Sequence, residues 1–200
     1  MSTDPTTTGD AATIAAATDD ALLTSVVTDD ATTLTRVPLS ALPGWRVLDV
    51  LWRGPAHPAR WLVAVDGDRV VVLTGHPERW DALATDAEVT TAEQAVELAV
   101  VRTDATHDRS KGYQRLSHVD EIRWLPRPGD EQRQRIEQVR ADLADRIGPA
   151  SAVGEGPWTV TTWVRAGDAV ERLEVEVHHD GSTSTATTLE TEDLPVPQVH

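Results

Sequence analysis

Apolar positions recur along this chain with two periods, one of two residues and one near 3.6, and they assign most of the elements. "WRVLDVLW" (45–52) alternates as a half-buried strand does. "ARWLVAVDGDRVVVLTG" (59–75) reads as a hairpin, two β-rich runs meeting at Asp66-Gly67. Pro77 suits the first position of a short helix. "TTAEQAVELAVVR" (90–102) follows as a second helix, with Thr90 and Glu93 at capping-box spacing. "RLSHVDEIRWL" (115–125) reads as an edge strand. The clearest helix lies within 126–149: Asp130 starts it, Ile136, Val139, Leu143 and Ile147 form one stripe, and Gly148-Pro149 ends it. Glu131/Arg135 and Asp142/Arg146 stand at the spacing of helical ion pairs.

The last third is all strand. In "WTVTTWVRAG" Trp158, Val160, Thr162 and Val164 share a face. In "AVERLEVEVHHDG" Leu173, Val175 and Val177 oppose Glu174, Glu176 and His178, the pattern of an antiparallel strand solvated on one side. "STSTATTL" pairs back across Asp180-Gly181. Both this region and residues 50–74 carry Trp, Arg and Gly, a β-run, Asp-Gly and a second β-run, which reads as two similar three-strand meanders. The fold class expected is α+β, antiparallel β-meanders packed against a long helix. In architecture it resembles the cystatin-like and NTF2-like folds, in which a long helix lies across a curved sheet. Those folds host binders and enzymes alike.

Three regions follow. Residues 1–38 read as an acidic, Thr/Asp-rich extension, either disordered or marginally helical; Ile14, Ala17, Ala21, Leu22 and Val26 recur at roughly helical spacing. Residues 39–126 form a first α+β half, and 127–200 a helix plus meander packed with it as one body.

Composition changes the picture in three ways. The absence of cysteine excludes disulfides, thiolate metal sites and a cysteine nucleophile, and fits the cytoplasm. The absence of Phe and Asn, with one Lys and one Tyr, points to a high-GC bacterial genome; seven tryptophans then serve as the bulky aromatics of the core. The net charge of −15 disfavours nucleic acid and an anionic membrane surface, both of which need a basic footprint. It favours a basic protein partner or plain solubility. No stretch is long and apolar enough to span a membrane.

No catalytic motif stands out, so no catalytic residue, cofactor or metal ligand is assigned. "HHD" (178–180) is a poor metal site because adjacent strand residues face opposite sides. The first expectation is a non-catalytic interaction or accessory protein, neutralising or chaperoning a basic partner. Leu22 and Val26 of the N-terminal segment and Glu171, Glu174 and Glu176 of the strand would form its surface. The alternative is a small-molecule-binding or enzyme domain with a pocket between helix and sheet. The stretch "THDRSKGYQRLSH" (106–118) holds the chain's one lysine and one tyrosine, and His107, Lys111, Tyr113 and His118 would line that pocket. Strand pairing through a sheet edge into a homodimer is a third option.

Overall fold

Two open antiparallel sheets lie on either side of one helix. The computed structural model describes residues 5–55, 57–108 and 111–197. In chain order these form α1 (Pro5–Ala17), α2 (Ala21–Val26), β1 (Thr32–Val37), β2 (Arg46–Trp52), β3 (Ala59–Asp66), β4 (Arg69–Val72), α3 (Pro77–Ala84), α4 (Ala92–Thr106) and β5 (Tyr113–Leu116). A 3-10 turn (Val119–Glu121), α5 (Asp130–Leu143), β6 (Ser151–Val153), β7 (Trp158–Ala166), β8 (Ala169–Val177) and β9 (Thr183–Thr191) follow. Sheet A runs β1-β2-β3-β4; sheet B runs β5-β7-β8-β9, with β6 on the same edge of β7 as β5. The molecule is α+β, as its periodicities predict.

The central layer is α4. Ala95, Leu98 and Ala99 pack in one cluster with Val47, Leu62 and Ala64 of sheet A and Val160, Val164 and Val175 of sheet B. Alanines on the helix let both sheets approach it, so the two meanders share a core rather than each building its own. The capping box sits one residue later than the sequence suggested. Thr91 accepts from the Gln94 amide at 3.2 Å, and Gln94 Oε1 accepts from the Thr91 amide at 3.2 Å; glutamine serves here as well as glutamate.

Residues 61–65 of β3, "WLVAV", are buried without interruption. An unbroken apolar strand has both faces covered, and α1 and α2 supply the second cover. Ile14, Leu23, Val26 and Val27 pack on Leu48, Val50, Trp61 and Val63. Three aspartates fasten this hairpin: Asp10 to Arg46 at 2.8 Å, Asp19 to Arg79 at 2.9 Å, and Asp20 to the Trp61 indole N–H at 3.0 Å. Asp20 also caps α2, accepting from the Leu23 amide at 2.9 Å. Of the two states expected for the N-terminal segment, its described residues take the helical one, and they pack on sheet A rather than extending away from it. The segment's apolar residues are few, but they need only cover a sheet face, and "TTLTRV" adds β1 to that sheet's edge.

On the far side of sheet B, α5 packs Val139 and Leu143, with Ile147 beyond it, against Trp163 and Val170. The predicted stripe is the buried face. Arg135 and Arg146 make other contacts than the predicted helical pairs, while Arg133 pairs within the helix with Asp130. Arg135 donates to Thr191 Oγ1 at 2.7 Å and to the Glu192 carbonyl at 2.8 Å. Arg146 pairs with Glu190, which also holds Arg172 at 3.0 Å. A bulge between the Val170 and Glu171 registers of the β8–β9 ladder precedes this contact, leaving Glu190 as the extra residue of β9. A buried carboxylate within reach of two arginines outcompetes a solvated one a turn away.

Candidate functional site

The site grows from the C-terminal end of α4 and the start of β5. Residues 107–112 join the two, so residues on either side of a short loop face each other. Tyr113 Oη donates to Asp104 Oδ1 at 2.7 Å, and Arg115 Nε donates to the same oxygen at 3.3 Å. The His107 ring stacks on Tyr113 with centroids 4.0 Å apart and planes 14° from parallel. His107 Nδ1 lies 2.8 Å from the Asp104 carbonyl; a carbonyl only accepts, so Nδ1 carries the proton.

Beside this stack lies a cleft of about 220 Å³ between α4 and sheet B. His107, Lys111 and Tyr113 line one side, with Val164 and Leu173 among the apolar contacts of its wall. Arg102 crosses from α4 to β9, donating to Thr185 Oγ1 at 2.9 Å, and Thr187 stands beside it. Three of the four residues singled out in the sequence thus converge on one cavity. The fourth does not. His118 lies beyond the end of β5, and its side chain accepts from the Asp120 amide at 3.2 Å to cap the 3-10 turn. Four strand residues carry the chain past the cleft before His118 is reached.

The proposed acidic face divides. Glu171 lines the cleft with Leu173, while Glu174 lies on the other side of β8, paired with Arg172. Glu176 lies 3.7 Å from His178 Nε2. Of the N-terminal pair, Leu22 is exposed and Val26 is buried against sheet A, so Val26 is a core residue and no contact for a partner. His178 and His179 lie past the end of β8, in the turn before β9, and take different partners. His179 donates through Nδ1 to the Val89 carbonyl at 2.8 Å and meets Trp158 edge-on at 4.8 Å. Among the described residues no group of three or more His, Asp or Glu is placed to hold a metal ion.

No protein-family model, curated protein or solved structure matches the chain. What the site can do follows from its side chains. Burial, and then the charge of Asp104 and its hydrogen bond, push the Tyr113 phenol well above its ordinary value of 10.0. It is held as a neutral donor at ordinary pH, a state that disfavours a role as base or nucleophile. Its part is to hold the His107 ring and the Asp104 carboxylate in place.

With a single tyrosine in the chain, this is directly measurable. The folded protein should show no phenolate absorbance as pH rises through 10, with the band expected only on unfolding. The unfolded chain releases this proton near its ordinary value of 10.0 and the folded chain keeps it. The contribution of Tyr113 to stability is therefore fully present and independent of pH below 10, and is lost as pH rises beyond it. A folded-state phenolate at pH 10 would contradict the buried placement.

Sequence reading missed Arg102, Thr185 and Thr187 of the cleft. It also missed a second cavity, of about 610 Å³, on the other side of Tyr113, lined by Arg60, Arg115, Arg123 and Arg165. One available signal was Arg165 itself, a cation between the apolar residues of "TWVRAG".

Proposed function

We propose that the protein is a non-catalytic binding domain whose ligand site is the cleft between α4 and sheet B. The observation that carries this is the convergence of His107, Lys111 and Tyr113 on one cavity. Polar groups of both signs around an apolar wall are the usual make-up of a small-molecule site. Lys111 and Arg102 supply positive charge, Glu171 supplies negative charge, and Thr187 adds a hydroxyl. Together with the volume, this suits a zwitterion of amino-acid size. A non-catalytic role is supported by the neutral Tyr113 phenol and by the engagement of Asp104 with Tyr113 and Arg115. The lack of cysteine supports a cytoplasmic setting; among the described residues no helix is long and apolar enough to cross a membrane. The net charge remains the support for a basic protein partner, but no single strand face gathers Glu171 with Glu174.

Thermal denaturation against the twenty amino acids tests the reading. At a hundredfold excess over Kd a cleft ligand adds roughly 2.7 kcal/mol, raising Tm by about 5–10 °C for a chain of this size. Thr187→Trp, at an exposed β9 position, places an indole in the cleft and should abolish the rise while leaving the ligand-free Tm nearly unchanged. Equal shifts in both proteins would overturn the assignment.

A further inference from the structure

In a chain of net charge −15, four arginines gather around the 610 Å³ cavity at the β5 edge, against the carboxylates of Asp104 and Glu121. Two of the arginines are already matched. Arg60 grips Asp49 through two hydrogen bonds, at 2.7 and 3.1 Å, and Arg115 lies 3.3 Å from Asp104. Glu121 is turned back on its own loop, accepting from the Ser117 amide at 2.7 Å.

Arg165 is different. It extends from β7 and is only 9% exposed. Its one hydrogen bond among the described residues runs from Nη1 to the Gly167 carbonyl at 2.5 Å, and its buried Nε has no partner. No carboxylate pairs with it there. Arg123, exposed at the mouth, has no ion-pair partner among the described residues either, and its charge acts on Arg165 as a repulsion. Burial, and then Arg123, push the Arg165 pKa down. Gln114, directly across the β5–β7 ladder from Arg165, lines the same cavity with a buried, unpartnered Oε1.

A buried guanidinium without a counter-charge is costly, and a second cation facing it makes it costlier. An oxyanion between the two would relieve both, because a guanidinium fork matches carboxylate and phosphate geometry. The Gln114 acceptor would take a hydroxyl or N–H of the same molecule.

We propose that the cavity at the β5 edge is a binding site for a small oxyanion, a carboxylate or phosphate group seated on Arg165 and Arg123. This site is separate from the cleft and shares only Tyr113 with it.

The test uses the full chain, with inorganic phosphate and succinate as probes and sodium chloride at matched ionic strength as the reference, read by calorimetric titration. At least one probe should bind saturably, and which one does so separates a phosphate-bearing ligand from a carboxylate. Arg123→Gln, at an exposed position, should weaken binding tenfold or more without lowering Tm. Arg165→Met should abolish binding and, in chloride, melt no lower than the parent, because it removes an unmatched buried charge. A purely structural arginine would instead lower Tm on replacement and leave anion binding intact. Thr187→Trp should leave anion binding unchanged, so failure of the cleft reading and failure of this one are distinguishable. Absence of saturable binding by both probes, or binding that survives both arginine substitutions, would overturn the proposal.

Discussion

Ile14→Asp strips α1 and α2 from sheet A, while Leu22→Asp in the same hairpin is nearly silent. Ile14 is fully buried on sheet A, and Leu22 is 47% exposed. The first substitution forfeits about 2 kcal/mol of apolar burial and places a carboxylate in an apolar cluster, at a further cost of several kcal/mol. That is a large part of the roughly 5–15 kcal/mol holding a domain of ordinary size together. The exposed face would carry Leu48, Val50, Trp61 and Val63, a contiguous apolar surface prone to aggregation. The measurement is Tm and solubility side by side. An unchanged Tm for Ile14→Asp would show that the hairpin is not part of the core. Asp19 adds a pH dependence to the same contact. The Arg79 hydrogen bond, and then its charge, hold the Asp19 carboxyl below its ordinary value of 3.8. Its contribution is present above that pH and is lost as pH falls through the lowered value.

Leu98→Ala should weaken both sheets together. Leu98 is fully buried in α4 and belongs to the cluster that joins the two sheets. Truncation costs about 2–5 kcal/mol, with the upper part expected because walls on two sides limit collapse into the void. Denaturant unfolding should remain a single transition at a lower midpoint. Amide exchange should show β3 and β7 losing protection to the same degree. Protection lost in one sheet only would mean that the meanders are independently stable and that α4 is not their common core.

What the sequence revealed and what it hid divide along physical lines. The strands β2, β7 and β8 and the stripe of α5 were legible because one period dominates each, and β3 because a β-rich run ends at the Asp66-Gly67 turn. In contrast, β1 was hidden because an edge strand of Thr and Arg has the composition of a polar tail. The docking of α1 and α2 was foreshadowed only by "WLVAV", whose apolar run demands a second cover that the run does not itself identify. The central place of α4 was obscured because a helix packed on two sides lacks a clean polar face. At the site, His107, Lys111 and Tyr113 were readable because a short loop keeps sequence neighbours close in space. The arginine cavity was not. Arg60 and Arg165 come from different sheets, and all but one of the chain's 18 cations are arginine, so none stands out by type.

That same scarcity supplies the most direct test of the cleft. The chain has one lysine and one tyrosine, and Lys111 and Tyr113 both line it. Reductive methylation with carbon-13 gives Lys111 its own dimethylamine signal beside that of the chain's N-terminus, and ring-labelled tyrosine reports on Tyr113 alone. The full chain would be titrated with the amino acid that stabilises it most. Saturable shifts of both signals, with one common Kd, are the predicted result. A ligand that stabilises the protein while the Lys111 signal stays fixed would place binding elsewhere and contradict the cleft as its site.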